Sequence, residues 1–285
     1  MPSVNTYSIK ALVEPLVSIS ASPDRDVRYF LSEITGVPLA ELFDQVQMSM
    51  AQYREFQAMC ARRLRHEPVA YILGYSEFWG LRLQVNASVL IPRPETECLV
   101  EAVLQLHGDS SIRCLDLGTG SGAIALALAT ERSSWHVDAL DRSQEAISCA
   151  RENASRQETP VSNLSFYCYD WTSFSSGDRE SRYHVLVANP PYIDPVSDAV
   201  CNETRLYEPD CALYAGLNGE ADLIDLIDVG ALLLLDAGWL YLEHGYDQGE
   251  RVRYFMAKKG YQSITTMKDY AGHDRFTLGQ WRIIR

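Results

Sequence analysis

Leu115-Asp116-Leu117-Gly118-Thr119-Gly120-Ser121-Gly122 joins a short apolar run to a helix-forming one, with glycine at every second position. Glycines there let the backbone turn sharply and come close to a ligand. The dinucleotide fingerprint is spaced G-x-G-x-x-G, whereas this loop reads G-x-G-x-G with an acid two residues before its first glycine. A carboxylate at the end of that strand repels a pyrophosphate and attracts a cation. Outward from the loop, apolar strands alternate with helices. Cys114–Leu117 precedes helix Ala123–Ala129, Val137–Leu140 precedes Gln144–Asn153, and Leu164–Tyr167 and Val185–Ala188 follow. Helix Ala221–Leu235, strand Trp239–Glu243, helix Gly249–Lys259 and a closing stretch Tyr261–Arg285 complete the pattern. Such alternation predicts an α/β fold with a mostly parallel sheet covered on both faces. The β-rich run Thr277–Ile284 predicts an antiparallel finish.

Upstream the periodicity is helical. Ser8–Ser18 carries apolar residues at helix spacing, and Ser22-Pro23-Asp24 opens a second helix that Gly36 stops. Pro38 opens a short third, and Met50–Leu64 forms another that ends in Arg62-Arg63-Leu64-Arg65, a cluster read as a solvated helix end. The stretch shows no strand signal, so a small helical bundle is expected. Glu77–Val85 then reads as a hairpin turning near Trp79-Gly80. The expected domains are a helical part over residues 1–75, a hairpin and linker over 76–112, and the α/β part over 113–285.

Two further acids fall at strand ends. Asp141 closes the second strand about twenty residues beyond the glycine loop, where a carboxylate accepts from ribose hydroxyls. Its plainer role is to cap helix Gln144–Asn153, which Ser143 can do instead. Asp170-Trp171 follows the third strand and offers a carboxylate and an aromatic face to an adenine. Gly118, Thr119, Gly120, Ser121 and Gly122 with Asp116, Asp141 and Trp171 thus form a candidate site for S-adenosylmethionine, whose amino group and sulfonium are positive.

The fourth strand ends in Asn189-Pro190-Pro191-Tyr192. Two prolines stop the strand and fix a rigid corner at the carboxyl edge of the sheet. An amide or exocyclic amine is a poor nucleophile because its lone pair is delocalised. The Asn189 side-chain oxygen and the Pro190 carbonyl can both accept from one such NH2 group and aim its lone pair at a methyl donor. Tyr192 can stack on the planar group. Orientation and fixed dipoles then carry the acceleration. Asn189, Pro190 and Tyr192 are the candidate catalytic residues, and Asn189–Tyr192 the candidate substrate corner, with Asn189 also beside the cofactor.

These residues resemble the protein-(glutamine-N5) methyltransferases that modify peptide-chain release factors, of the bacterial type. The likeness extends over nearly the whole chain. It includes Glu67-Pro68-Val69-Ala70-Tyr71-Ile72-Leu73-Gly74 with Glu77-Phe78, and Leu90-Ile91-Pro92-Arg93-Pro94-Glu95-Thr96-Glu97. It continues in Leu242-Glu243-His244-Gly245 with Gln248, and in Asp269-Tyr270-Ala271-Gly272 with Arg275. The resemblance implies a Rossmann-like class I S-adenosylmethionine-dependent methyltransferase sheet behind a small N-terminal helical domain that helps to hold the release factor. The implied substrate is the glutamine of a Gly-Gly-Gln loop, inserted near Asn189–Tyr192, and the co-product is S-adenosyl-L-homocysteine. One departure is Gly219-Glu220-Ala221-Asp222-Leu223, where many relatives read G-x-D-G-L; it leaves the role of that helix start open. Pro94, Glu95 and Glu97 also make an ordinary helix start, and Arg93 and Glu95 are candidates for shaping a lid over the cofactor.

A DNA or ribosomal-RNA amino-methyltransferase is the alternative, since a nucleobase amine poses the same electronic problem. Such enzymes gain affinity by neutralising phosphates. Here the formal charge is −13, and residues 1–75 hold seven Lys/Arg against eight Asp/Glu, so residues 76–285 carry almost all of it. No direct nucleic-acid substrate is expected. A sister enzyme acting on a ribosomal-protein glutamine, a nucleotide-binding adaptor and a dehydrogenase fit less well: the Pro-Glu-Thr-Glu block, Asn189 with Asp116, and the loop spacing argue against each in turn. Seven scattered cysteines without a CxxC pair fit a reducing compartment. The histidines show no metal-ligand spacing, and no metal is expected. The opening MPSVNTYSIK reads as no signal peptide, and Gly230–Leu242 is too short to span a bilayer. A cytoplasmic protein without membrane partners is expected.

Overall fold

The structure, a computed structural model, describes residues 4–174, 183–197 and 200–283. The end of the expected closing run, Ile284 and Arg285, lies outside the described residues. The chain divides into two compact units, Met1–Tyr75 with Val200–Tyr207, and Ser76–Ala199 with Glu208–Arg285.

In the first unit the elements are β1 (Val4–Ser8), α1 (Ile9–Val13), α2 (Pro23–Thr35), β2 (Gln45–Ser49), α3 (Met50–Arg63) and α4 (Val69–Leu73). Proline and two aspartates in the first turn start α2, and left-handed Gly36 ends it by returning its N–H to the Ser32 carbonyl at 2.9 Å. Ser49 and Gln52 form a capping box at the start of α3. Val27, Phe30, Leu31, Met48 and Phe56 fill the core of this unit. Three expectations need correction. The stretch is not wholly helical, because β1 pairs antiparallel with β2, Val4 opposite Ser49 and Ser8 opposite Gln45. Val46 and Met48 alternate inward, but a five-residue strand whose partner lies about forty residues away leaves only a weak local signal. Nor is the arginine cluster simply solvated. Arg63 is buried, and its guanidinium meets Asp26 at 2.8 Å and Glu203 at 2.5 Å. The stretch that Pro38 opens is a single 3-10 turn, Leu39–Glu41.

The second unit begins with the hairpin β3 (Tyr75–Phe78) and β4 (Leu81–Gln84), turned by Trp79 and Gly80, both at positive φ, as a two-residue primed turn requires. Then follow α5 (Thr96–His107), β5 (Arg113–Leu117), α6 (Ala123–Glu131), β6 (His136–Asp141), α7 (Gln144–Ser155), β7 (Leu164–Cys168) and β8 (Tyr183–Ala188). Next come α8 (Asn202–Tyr207, within the first unit), α9 (Asp210–Leu213), the short turn α10 (Gly216–Gly219), α11 (Ala221–Leu233), β9 (Leu234–Glu243), α12 (Gly249–Lys259), β10 (Gln262–Lys268) and β11 (Asp274–Gln280).

Seven strands form one sheet in the order β10-β11-β9-β8-β5-β6-β7. The pairs β5–β6, β6–β7, β5–β8 and β8–β9 are parallel, and β11 is antiparallel to both neighbours. The antiparallel finish is therefore present, on Asp274–Gln280. Along β8, Val185 and Val187 enter one core with α5 and α6, while Leu186 and Ala188 enter the other with α11 and α12. A strand buried on both faces reads as a continuous apolar run, as this one does. Strand order reverses between β5 and β8, so the crevice beyond their carboxyl ends is the topological switch point, where ligands bind in open α/β sheets.

Candidate active site

The glycine loop leaves β5 at that crevice. Gly118, Gly120 and Gly122 have φ of 78°, 55° and 85°, a region that other residues avoid. At Gly118 a Cβ would lie 3.1 Å from the Trp171 ring, so its absence lets that indole close in on the loop. Gly118 and Thr119 donate their N–H groups to the Leu140 carbonyl at 2.9 Å each, which stitches the loop to the end of β6.

Asp116 is fully buried beneath the loop and does not line the cavity itself. Its Oδ2 accepts from the Thr119 hydroxyl at 2.7 Å and from Ala125 N–H at 3.2 Å, while Oδ1 has no hydrogen-bond partner among the described residues. Burial pushes its carboxyl up to about 7, and neighbouring Asp141 adds to the shift. Asp141 lines the cavity; its Oδ2 accepts from Gly120 N–H and its Oδ1 from Ser143 N–H, both at 2.9 Å. Each oxygen keeps lone-pair capacity for a further donor. Ser143 caps α7 through Ala146 N–H, which frees Asp141 from that role. Burial also raises the Asp141 carboxyl.

The cavity encloses about 820 Å³ of empty space, part of it open to solvent. Gly118, Thr119, Gly120, Ser121, Asp141, Trp171, Asn189, Pro190 and Pro191 line it, together with Arg93 and Thr96 from the segment ahead of and opening α5. Three candidate residues lie elsewhere. Asp116 sits below the loop, Gly122 packs on Ala150 at the start of α6, and Tyr192, half-buried, is not among the residues lining this cavity. Asp170 caps the turn Trp171–Ser173 by accepting from Thr172 N–H at 2.9 Å and is not among the lining residues. Arg93 is anchored to buried Glu208 at 2.5 Å, and the same carboxylate accepts from Ile91 N–H at 3.0 Å.

At the end of β8, Asn189 donates from Nδ2 to the Thr96 hydroxyl at 3.2 Å. Thr96 donates to Glu243 Oε2 at 2.7 Å, and the Tyr192 hydroxyl donates to Glu243 Oε1 at 3.3 Å. Gln248 donates to the Tyr192 carbonyl at 3.1 Å and accepts from Gly245 N–H at 2.8 Å. Sequence reasoning assigned no role to Thr96, Glu243 or Glu208. Thr96 and Glu243 do fall within the blocks that carry the family resemblance, and Glu243 is also an acid closing an apolar strand, Leu240-Tyr241-Leu242-Glu243. Among the described residues no group of three or more His, Cys, Asp or Glu side chains could hold a metal ion.

Residues 14–74 match the family model described as PrmC N-terminal domain, and residues 94–205 match that of the Methyltransferase small domain. The release factor glutamine methyltransferase of Coxiella burnetii is 41% identical over 274 residues, 95% of this chain and 96% of that one. That of Vibrio cholerae is 42% identical over 282 residues, covering 98% and 97%, and that of Escherichia coli 39% over 264, covering 92% and 94%. Among solved structures, a methyltransferase from Pyrococcus furiosus shares the fold, with a TM-score of 0.53 at 20% identity over 78% of this chain and 98% of that one. The methyl donor is S-adenosylmethionine, and the cavity fits it. An orphaned, buried carboxylate oxygen lies under the loop, a glycine makes room for the indole, and two carboxylates raised by burial gain from a cation nearby. Matched at about 40% identity along nearly its full length, the chain belongs to the release factor glutamine methyltransferase family.

Proposed function

We propose that this enzyme methylates the N5 amide nitrogen of the glutamine in the Gly-Gly-Gln loop of peptide-chain release factors, in support of translation termination. The observation that carries the reading is the Asn189–Tyr192 corner set beside the glycine loop at one switch point of the sheet. The glycine-loop backbone from Gly118 to Gly122, with Asp141 and Trp171, holds the nucleoside and amino-acid parts of the donor, and Asp116 supplies negative charge from below. S-adenosylmethionine supplies an electrophilic methyl group on a sulfonium and leaves as S-adenosyl-L-homocysteine. Asn189 Oδ1 and the Pro190 carbonyl accept from the substrate NH2, pointing the nitrogen lone pair along the line of attack. As the new N–C bond would form, the donor's S–C bond would break and the nitrogen would release one proton to water, leaving a neutral secondary amide. Pro191 keeps the corner rigid, and Tyr192 flanks the planar group. No strong base is required, because orientation and fixed dipoles lower the barrier.

The part over residues 1–75 is assigned to holding the release factor, residues 76–112 to linking, and residues 113–285 to methyl transfer. The net charge of −13 supports a protein substrate over a nucleic acid, and the unpaired cysteines support a cytoplasmic setting. No helix among the described residues is long and apolar enough to cross a membrane.

The test is to incubate the protein with S-adenosylmethionine and an unmodified release factor, then to read the Gly-Gly-Gln peptide by tandem mass spectrometry. One methyl on that glutamine supports the proposal. With donor binding verified, an unmodified peptide overturns the substrate assignment.

A further inference from the structure

Asn189 suits an incoming NH2 group in only one of its two flip states. With Oδ1 toward the cavity it accepts; with Nδ2 there it sets donor against donor. The two ends of the side chain are nearly isosteric, so something outside the residue must choose between them.

The structure holds such a device. Asn189 Nδ2 meets Thr96 Oγ1 at 3.2 Å, and Thr96 Oγ1 meets Glu243 Oε2 at 2.7 Å. Thr96 is 3% exposed and Glu243 1%, so bulk water has little access to either group. A hydroxyl has one proton, and an ionised carboxylate can only accept. Thr96 therefore commits its proton to Glu243 and turns a lone pair toward Asn189, which only the Nδ2 end can satisfy. No hydrogen bond among the described residues engages Asn189 Oδ1, and both Asn189 and Thr96 line the cavity. The second oxygen of the same carboxylate takes the Tyr192 hydroxyl at 3.3 Å. On the reading that Asn189 orients the substrate amide, we propose that Thr96 and Glu243 are positioning residues. Together they fix the flip of Asn189 and seat the Tyr192 ring, through one buried carboxylate.

Three elements meet here: the start of α5, the end of β9 and the corner after β8. The titratable and charged groups facing Glu243 are Arg275 on β11, Tyr192 on the corner and Glu95 just ahead of α5. Burial dominates and pushes the Glu243 carboxyl up to about 7, against the hydrogen bond from Thr96 and the charge of Arg275. Once protonated, Glu243 can donate to Thr96. The Thr96 proton is then free to turn toward Asn189, and the preference for one flip disappears.

The test compares Thr96→Val, which removes the hydroxyl at nearly constant volume, with Thr96→Ser, which keeps it, and with Glu243→Gln. Turnover of the Gly-Gly-Gln glutamine is measured against pH, donor affinity by calorimetry, and the Asn189 side-chain NH2 by nitrogen-15 NMR. Thr96→Val should lower kcat by about 10²-fold, the order that misplacement of a reacting group costs, with little change in KM or donor affinity. Thr96→Ser should restore most of that loss. The wild-type kcat should fall as pH drops through about 7, and this limb should be absent from Glu243→Gln. The NMR signal needs no substrate: the Asn189 NH2 should be protected from exchange in wild type and Thr96→Ser and unprotected in Thr96→Val. Equal protection in all three proteins, or an undiminished kcat in Thr96→Val, overturns the relay. Protection that follows the hydroxyl, in an enzyme that leaves the glutamine unmodified, upholds the relay and faults the substrate assignment instead.

Discussion

On the proposed function, Asp116 and Asn189 serve opposite partners of one reaction, and their variants should separate accordingly. Asp116 is buried with one oxygen unpartnered, and its carboxyl stands at about 7 instead of its ordinary 3.8. A raised acid stabilises the fold most below its ordinary value, and that contribution fades as pH rises through about 7. A cationic ligand reverses the balance, because it favours the ionised carboxylate. Binding of S-adenosylmethionine should therefore expel a proton, and its Kd should fall by about tenfold per pH unit on approaching pH 7 and then level off. In Asp116→Asn the calorimetric Kd should be weaker and lose this slope; an equally steep slope there would assign the titration to another group. Asn189 lines the cavity and, on the same proposal, serves the acceptor. Removing one group that stabilises a developing charge costs about 10²–10³-fold in turnover, so Asn189→Ala should lose at least about 10²-fold while calorimetry finds donor binding intact. Undiminished turnover in that variant would remove the corner from the mechanism.

Helix α11 shows how a small residue sets the distance between elements. At Gly230 a Cβ would lie 2.2 Å from the Tyr261 hydroxyl, which itself donates to the Ile227 carbonyl at 3.0 Å. Gly230→Ala should therefore destabilise the protein by about 1–3 kcal/mol through overpacking, read as a lower Tm. Tyr261→Phe alone loses one buried hydrogen bond, about 1 kcal/mol. The double variant should be more stable than the two losses added together, because the colliding atom is gone; strict additivity in the cycle would locate the strain elsewhere. The same helix marks a limit of sequence reading. The helix expected over Ala221–Leu235 ends in the apolar run Val229–Leu235, yet helix stops at Leu233 and strand begins at Leu234, since both states bury such residues equally well. Where glycine and periodicity agree, as over Gly249–Lys259 and from Pro23 to Gly36, the expected bounds match the helices found. The glycine loop and the Asn-Pro-Pro-Tyr corner were legible because each is contiguous. Thr96 and Glu243 were not, because they lie 147 positions apart and only the sheet brings them together. The ribbon of β1 and β2 escaped for the same reason, its partners being joined by tertiary pairing and not by local pattern.

At the scale of the whole chain, the path between β8 and α11 is the least expected feature. The polypeptide leaves the α/β unit at Val200, contributes α8 to the helical unit and returns at Glu208. Within the helical unit, Arg63 ties this excursion down. Its guanidinium, in a side chain 4% exposed, bridges Asp26 on α2 and Glu203 on α8, and the Tyr207 hydroxyl adds a bond to the Arg65 carbonyl at 2.9 Å. A buried ion pair adds little over a well-packed apolar cluster, but removing one partner strands the other charges at a cost of about 3–5 kcal/mol. Arg63→Met should therefore loosen the helical unit by an amount of that order. Amide exchange should quicken in α2, α3 and α8, while β5, β6 and β8, which depend on separate cores, keep their protection and donor affinity stays unchanged. If the units are energetically separable in this way, the variant should turn over a short Gly-Gly-Gln peptide as wild type does yet show a raised KM for an intact release factor. Equal loss of protection across the central strands would mean that the chain unfolds as a single cooperative body, and an unchanged KM for the intact factor would remove the helical unit from substrate recognition.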